Sequence, residues 1–504
     1  MASEHASEVF ESSHEFAFFD YFRVPYAVRS VGLGVERLDG RLGVLRPVEP
    51  FSGDARQLVW WRGGPGETAA TRAGQFQLAG FTIAAHVATV SPDALLKDLG
   101  EGWRQLDSIV DDDGNRVAGV WESTEGTVFL PFDPGEVMCN LWSERYSTLG
   151  RRGAGRAARS AMLRTYYTVR PLLPRRVQIK LRQIFAAQQE VPDFPRWPLE
   201  SSLHDLYEWL FGRLTSIAGG PIPWIDVWPD GKSWAFVLTH DVETDVGVET
   251  RDLLRDAERR HGYRSSWNFV PERYSLDPDV VRQLRAEDCE VGVHGLRHDG
   301  RDLVSRRVLS KRLPAMRAAA DRWQAVGFRS PATQRHWALM PLLGFDYDTS
   351  YTDTDPYEPQ PGGCCTYWPF FNEQLVELPI TLPQDHTLFR VLRDADPDLW
   401  RVKALELRQR GGMVLVLAHP DYADDDAMQG AWERLLAEFA EDPTMWQALP
   451  REVASWWRDR AASRLVRSAD GWTIKGPAGE SGQVRFSVLS PTNHEVHTNH
   501  EVQA

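Results

Sequence analysis

The stretch that decides the fold is VLTHDVETD, from Val237 to Asp245, which directly follows the apolar residues Trp-Ala-Phe at 234–236. A buried-looking strand here runs straight into three acids and a histidine. Either the strand ends in a surface turn, or its charged end forms part of a metal or proton-transfer site. Residues two apart on an extended strand share a face, so Asp241 and Glu243 can reach one site while His240 points away.

Strand-like and helix-like segments alternate beyond about residue 230. Short apolar runs such as WAFVLT, CEVGV and MVLVLA are separated by longer segments with helical character, such as VETRDLLRDAERRHG. This alternation predicts an α/β fold in which helices cover a parallel sheet, as either a barrel or an open sheet. In such sheets the side chains that carry chemistry collect at the C-terminal ends of the strands.

Three of the predicted strands end in histidine or acid. The residues concerned are, strand by strand, Asp241 with Glu243, His294 with His298, and His419. Two imidazoles four residues apart on a helical turn share a face and can chelate one divalent ion, although an isolated HxxxH is more often a solvated pair in a loop. A carboxylate added to two histidines leaves coordination positions open, as a catalytic zinc or similar metal needs. Together the strand ends predict a metal site.

From about residue 234 to 458 the sequence resembles the polysaccharide deacetylase family, also called the NodB-homology or carbohydrate esterase family 4 domain. The family's motifs occur here in order: an acid pair after the first strand, HxxxH, GFRSPAT with Arg329 and Pro331, GFDYDTSYTDTDPY, and LVLAH with Leu417 and His419. The resemblance implies a distorted (β/α) barrel and the metal-dependent hydrolysis of an amide.

The resemblance also implies roles for the acid pair. Many members of the family carry adjacent acids, whereas Val242 separates the two acids here. If the family's roles are transferred to this sequence, Asp241 is the catalytic base and Glu243 the metal ligand. If the chain has already turned at Thr239, Asp241 could be the ligand instead. Beside one of these acids, His294 and His298 are the expected metal ligands, and Zn²⁺ is the expected divalent ion.

Further roles follow for residues on the later motifs. Arg329 is expected to pair with Asp241 and keep it ionised, and His419 is expected to protonate the departing amine. Either Asp353 or Asp355 is expected to hold the His419 imidazole. Candidate substrate-binding residues are Pro331, Trp337 and Tyr422, with Trp368 as a further candidate for stacking on a sugar.

The chain is predicted to contain four segments. Residues 1–135 read as a β-rich domain of unknown role, and residues 136–230 as a helical segment with proline-rich connectors. Residues 231–464 form the predicted barrel, and residues 465–504 a short β tail with a disordered C-terminus. The repeated tail segment could bind metal through His494, His497 and His500, but disorder is the favoured interpretation. The basic segment from Arg170 to Arg182 is expected to be a solvated helix face, with an anionic lipid or a partner as the alternative contact.

Composition limits the possible partners and location. A formal charge of -14 over 504 residues argues against binding to nucleic acid, which requires Lys and Arg to neutralise phosphates. No apolar run approaches the roughly 20 residues of a membrane span, and no signal peptide is visible at the N-terminus. The cysteines are expected to be reduced thiols: Cys139, Cys289, Cys364 and Cys365. A cytoplasmic protein is therefore expected.

These observations predict a metal-dependent hydrolase that removes an acyl group, such as acetyl, from an N-acylated sugar or glycan precursor. One alternative is the hydrolysis of a small non-sugar amide. A second alternative is a binding protein that has kept the fold without turnover. The expected partner is thus a carbohydrate or small amide, and the sequence leaves the oligomeric state open.

Overall fold

The computed structural model describes residues 17–27, 42–47, 56–62, 71–89, 100–149, 180, 182–184, 186, 191–392, 396 and 398–487. The histidines of the repeated tail and residues 170–179 of the basic segment lie outside this set. The α-helices are α1 (Ala17–Phe22), α2 (Pro134–Trp142), α3 (Ser202–Ala218), α4 (Asp245–His261), α5 (Pro278–Ala286), α6 (Arg306–Trp323), α7 (Leu399–Gln409), α8 (Asp426–Phe439) and α9 (Pro450–Ala461). Within the described residues, no helix has the length and apolar character needed to cross a membrane.

An eight-stranded sheet makes up the N-terminal region. Its strands are β1 (Tyr26–Ala27), β2 (Leu42–Pro47), β3 (Leu58–Trp61), β4 (Thr71–Leu78), β5 (Phe81–Ala88), β6 (Arg104–Val110), β7 (Arg116–Glu122) and β8 (Val128–Leu130). The strand order is β1-β2-β3-β8-β7-β6-β4-β5, and every pair is antiparallel except β3 with β8. Strands β6 and β7 were missing from the prediction because their sequences mix charged and apolar residues, which weakens the strand signal.

The second large sheet carries the alternating β and α elements. The remaining strands of the described chain are β9 (Pro223–Ile225), β10 (Trp234–Val242), β11 (Ser265–Phe269), β12 (Glu290–His294), β13 (Gly327–Arg329), β14 (Tyr347–Asp348), β15 (Phe370–Asn372), β16 (Leu375–Glu377), β17 (Met413–Ala418), β18 (Met445–Gln447), β19 (Arg464–Ser468), β20 (Gly471–Lys475) and β21 (Val484–Phe486). The sheet order is β15-β16-β14-β13-β12-β11-β10-β17, with β18 also paired to β10. Its pairs are parallel apart from β15 with β16, so the predicted α/β class is confirmed.

The second sheet curls so that the segment after β16 reaches β17 at the other end of the sheet. The backbone N–H groups of Thr381 and Leu382, just after β16, donate to the carbonyl of Leu415 in β17 at 3.1 and 3.3 Å. These bonds join the two ends of the sheet and give it the form of an incomplete barrel. Because its strands are parallel, the ends of β10, β11, β12, β13 and β17 meet at one rim.

The N-terminal region packs directly against this barrel. Tyr21 donates from its hydroxyl to the carbonyl of Pro369 at 2.9 Å, and the Trp142 ring stacks on Phe370 with centroids 5.2 Å apart. At the other end of the chain, β21 pairs with β9, so the tail returns to the connector that precedes the barrel. The predicted domain boundaries stay predictions. The four cysteines form no disulfide, as expected.

Candidate active site

Strand β10 presents Thr239 and Asp241 on one face. Arg329 Nη1 lies 2.9 Å from the Thr239 hydroxyl and 3.2 Å from Asp241 Oδ1, so these two strand residues face the same side. His240 points the other way, where its Nε2 lies 2.6 Å from Glu258. The alternation expected for the strand is therefore present, and it continues through Val242 to place Glu243 at the rim.

Glu243 meets the two histidines of the HxxxH motif. One ligand atom from each of Glu243, His294 and His298 lies within 4.8 Å of the other two. His298 Nε2 is 3.0 Å from Glu243 Oε1. His294 Nδ1 lies 3.2 Å from the carbonyl oxygen of Arg329, which can only accept a hydrogen bond, so Nδ1 carries the proton and Nε2 keeps a free lone pair. This donor set fits a divalent metal with open coordination positions.

The HxxxH pair does not lie on a helix, and the sequence-based expectation of a helical turn was wrong. His294 is the last residue of β12, and the chain then turns through Gly295 at φ +60 and His298 at φ 54. The two imidazole centroids are nevertheless 5.0 Å apart. A left-handed turn immediately after the strand brings the rings together because it folds the chain back over the strand end.

Pro331 supports this turn. A Cβ atom at Gly295 would lie 2.5 Å from Pro331 Cδ and 2.5 Å from Asp302 Oδ2, so the turn requires glycine at this close approach. The Asp302 carboxylate also accepts from the backbone N–H of Leu296 at 3.1 Å. Pro331 itself is buried and packs against the loop that carries His298. Its role as a substrate contact remains a prediction.

Burial and neighbouring charges set the protonation of the cluster. Burial opposes ionisation of Asp241, but Arg329 and His294 outweigh it and lower the pKa of that carboxyl. Burial likewise opposes ionisation of Glu243, yet His298 keeps the pKa of that carboxyl well below its usual range. Burial lowers the pKa of His294 to about 4. Two carboxylates and a neutral imidazole result, which is the protonation state that metal ligation requires.

His419 lies beside the cluster and forms a close pair with the carboxylate of Asp385. Its Nδ1 is 2.6 Å from Asp385 Oδ1, and its backbone N–H donates to Asp385 Oδ2 at 2.8 Å. Burial opposes the imidazolium, but Asp385 outweighs it and raises the pKa of His419 to about 10. The other ring nitrogen, Nε2, is 4.0 Å from Glu243 Oε1 and so faces the cluster of Glu243, His294 and His298. A charged imidazole of this kind can donate a proton to a group bound at the cluster.

The expectation that Asp353 or Asp355 holds His419 was wrong. Asp353 is buried in an ion pair with Lys403, whose Nζ lies 2.7 Å from its carboxylate, and Asp355 accepts from the backbone of Tyr357 at 2.8 Å. Sequence reasoning missed Asp385 because it lies 34 residues before its partner. Its one signal was an acid directly after the strand-like run LVELPITLPQ.

The three aromatic residues predicted to contact the substrate, Tyr422, Trp337 and Trp368, lie in different parts of the structure. The half-buried Tyr422 ring lies 5.5 Å from the His419 ring, beside the cluster. Trp337 stacks on Phe370 at 6.2 Å and is also half-buried. Trp368 is misplaced in the prediction: its indole N–H donates to the carbonyl of Gly411, which precedes β17, whereas His419 follows the far end of that strand. Contacts of Tyr422 and Trp337 with a substrate remain predictions.

Asp421 fixes the backbone that carries Glu243. Its carboxylate accepts from the Glu243 backbone N–H at 2.8 Å and from the Thr244 hydroxyl. A Cβ atom at Gly247, in the first turn of α4, would lie 2.2 Å from Asp421 Oδ2. The loop after β10 is thereby tied to the segment that follows His419, which couples two sides of the site.

Asn268 on β11 provides a further support for Asp241, and Gly292 on β12 leaves room for it. Asn268 donates from Nδ2 to Asp241 Oδ1 at 2.9 Å, and a Cβ atom at Gly292 would lie 2.0 Å from Asn268 Oδ1. We expect Gly292→Ala to displace Asn268 and to lower the free energy of unfolding by about 1–3 kcal/mol, as overpacking does in cores. Urea unfolding measures this effect.

Gly212→Ala is the matched control for this substitution. Gly212 lies within α3 and a Cβ atom there meets nothing within 4 Å, so alanine should stabilise the helix by up to about 1 kcal/mol. Equal stability of Gly292→Ala and the wild type would contradict the packing described for Asn268.

No protein-family model matches the chain, and no curated protein matches it. Solved structures do. A putative polysaccharide deacetylase from Mycobacterium smegmatis is 20% identical with a TM-score of 0.38, covering 46% of this chain and 93% of its own. A probable polysaccharide deacetylase from Pseudomonas aeruginosa PAO1 is 16% identical with a TM-score of 0.38, covering 46% and 92%.

This chain resembles the polysaccharide deacetylases. Both of these solved structures bear the name of the family whose motif order this sequence follows. Puue allantoinase is also similar, at 15% identity and a TM-score of 0.38, covering 46% of this chain and 92% of its own.

Proposed function

We propose that this chain is a metal-dependent hydrolase that removes an N-acyl group, acetyl in the simplest case, from an N-acylated sugar or glycan precursor. One observation carries the proposal: beside the cluster of Glu243, His294 and His298 lie a carboxylate paired with an arginine, 3.6 Å from His294, and a histidine paired with a carboxylate, 4.0 Å from Glu243. Hydrolysis of an amide needs a base for water on one side and an acid for the departing amine on the other.

The first half of the reaction belongs to Asp241. When bound, a divalent ion supplies Lewis acidity that polarises the acyl carbonyl and makes water more acidic. Asp241 is held in the ionised form by Arg329 and oriented by Asn268, so it can take a proton from water that attacks the carbonyl. Of the two acids at the end of β10, Asp241 on the strand is the proposed base and Glu243 just after it the proposed ligand, because Glu243 is the one clustered with both histidines.

The second half belongs to His419. Its Nδ1 is engaged by Asp385, so its Nε2 is the nitrogen that can give a proton to the departing amine. After transfer, the neutral imidazole stays oriented by the same carboxylate. Asp241 and His419 therefore have opposite protonation states at neutral pH, which suits a base and an acid acting on one amide.

The same geometry would also hydrolyse a small non-sugar amide, because nothing in the acid, base and ligand set is specific for sugar. We keep this as the second candidate. The protonation states of Asp241 and His419 disfavour a binding protein without turnover. A non-catalytic scaffold does not need an ionised base and a charged acid beside one metal site.

Metal analysis combined with acetate release tests the proposal. Purified protein should contain about one equivalent of divalent metal, with Zn²⁺ expected, and should release acetate from at least one member of a panel of N-acetylated sugars. A parallel panel of small cyclic and linear amides, followed by ammonia or amine release, tests the second candidate. A protein that binds no divalent metal under any condition would exclude both.

The pH dependence of the stability of Asp385→Asn tests the pairing of Asp385 with His419. In the metal-free protein the pKa of His419 rises on folding from 6.5 to about 10, chiefly because Asp385 outweighs burial. A raised pKa stabilises the fold fully below the unfolded value and loses this contribution as pH rises toward 10. We expect Asp385→Asn to be less stable than the wild type at pH 6, with the difference shrinking by pH 10 in urea unfolding.

Asp470→Asn, an exposed carboxylate in the turn after β19, is the control and should show no such trend. A stability difference between Asp385→Asn and the wild type that stays constant from pH 6 to pH 10 would contradict the pairing.

A further inference from the structure

Arg182 lies beside the His419 side of the cleft although it belongs to the segment that precedes the barrel. Its Nη1 is 3.1 Å from His386 Nδ1, and its Nη2 donates to the carbonyl of Tyr357 at 3.3 Å. His386 directly follows Asp385, and its ring lies 5.3 Å from the Tyr422 ring, which in turn lies 5.5 Å from His419. Arg182 therefore reaches the wall of the site through His386.

Among the described residues, Arg182 has only neutral partners. Its two contacts are neutral acceptors, and within the described part of the chain no carboxylate lies within 4.0 Å of its guanidinium. The nearby acids have other partners: Asp385 binds His419, Glu358 accepts from the Thr387 hydroxyl at 2.8 Å, and Asp424 accepts from Arg390 at 3.1 Å. The segment next to Arg182 is further fixed by Gln183, whose Nε2 donates to the Arg390 carbonyl at 2.8 Å.

Arg182 lies on the side of the cleft where the amine-bearing part of the substrate is expected. If His419 protonates the departing amine, the part of the substrate that carries this amine lies on the His419 side, next to Tyr422 and His386. A guanidinium has five N–H donors in a planar fork, and the contacts of Arg182 with described residues use two of them. That fork matches the geometry of phosphate and carboxylate groups.

We propose that Arg182 binds an anionic group, phosphate or carboxylate, on the amine-bearing part of the substrate, so that the substrate class is an acidic N-acyl sugar. This inference rests on the proposed function and makes it more specific. Arg182 is then a specificity-determining residue, contributed to the cleft by a segment outside the barrel.

Deacetylation rates on matched sugars test the inference. The probes are neutral N-acetylglucosamine, N-acetylglucosamine 6-phosphate and N-acetylmuramic acid, of which the last two separate a phosphate from a carboxylate. We expect the wild type to show a kcat/KM about 10- to 100-fold higher for one acidic sugar than for the neutral one, as charged hydrogen bonds provide. Arg182→Gln should lose this preference and leave the rate on the neutral sugar unchanged, while Arg182→Lys should keep part of it.

Arg434→Gln is the control, since Arg434 lies on α8 and pairs with Asp398 at 3.1 Å. This variant should keep the full preference, and thermal unfolding checks that each variant is folded. Equal kcat/KM on neutral and acidic sugars in the wild type, or an unchanged preference in Arg182→Gln, would overturn the inference while acetate release still supports the proposed function.

Absence of acetate release from every sugar would count against the proposed function instead. Calorimetric binding of glucosamine 6-phosphate, muramic acid and glucosamine then decides the inference separately. Binding of an acidic sugar that exceeds that of glucosamine and weakens in Arg182→Gln supports it. Binding that is equal in wild type and variant, or undetectable, overturns it.

Discussion

Replacing His294 with alanine should remove stoichiometric metal from the protein. His294 offers Nε2 to the cluster because Nδ1 is committed to the Arg329 carbonyl, so alanine deletes one of three protein ligands. Loss of an outer partner of a metal ligand typically costs 10- to 100-fold in affinity. Loss of the ligand itself should therefore lower affinity by more than about 100-fold. Elemental analysis and competition with a chelating dye measure the change.

A second ligand variant and a control variant test whether the metal loss is specific to the cluster. His298→Ala should show the same loss, because His298 Nε2 lies 3.0 Å from Glu243 in the cluster. His336→Ala, at an exposed histidine in the loop after Pro331, should keep the full metal content. One equivalent of tightly bound metal in both His294→Ala and His298→Ala would mean that the metal site lies elsewhere.

Replacing Asp241 with asparagine should reduce the deacetylation rate by roughly 10²- to 10⁴-fold, the range usual for a general base. Asparagine keeps the shape of the side chain and its contact with Arg329, but it cannot accept a proton from water. Because Glu243, His294 and His298 are untouched, metal content should remain near the wild-type value. Steady-state kinetics and elemental analysis on the same preparation provide both readouts.

Glu243→Gln is the companion variant, and it decides which acid is the ligand. We expect it to lose metal affinity strongly, since an amide oxygen replaces a carboxylate beside His298. If Asp241→Asn loses the metal and Glu243→Gln keeps it, the two roles are reversed. If both variants keep metal and full activity, neither acid takes part in the reaction.

Much of the barrel could be predicted from the sequence because its signals are local. Apolar runs bounded by polar residues marked β10, β12 and β17, and each runs into the histidine or acid that forms the site. The spacing of Asp241 and Glu243 was informative for the same reason, since a strand places alternate residues on one face whatever surrounds it. The predicted ion pair of Arg329 with Asp241 is also present, at 3.2 Å.

The failures concern contacts between distant segments. Asp353 and Asp385 are acids that each follow a short strand, β14 and β16, and only the tertiary packing decides that Asp385 meets His419 while Asp353 meets Lys403. The HxxxH pair was assigned to a helix because four-residue spacing suits one. A glycine-dependent turn supported by Pro331 and Asp302 gives the same closeness without a helix.

By itself, the sequence determined the α/β alternation, the strands that carry the site, and the residue types available for metal binding and proton transfer. These depend on periodicity and spacing, which act over a few residues. Only the tertiary structure decided that Glu243 rather than Asp241 joins the histidines, that Asp385 orients His419, and that Arg182 reaches the rim from outside the barrel. The physical reason is that hydrogen bonds and charge pairs act over a few ångströms, and which residues come that close is settled when the sheet curls and the N-terminal region packs against it.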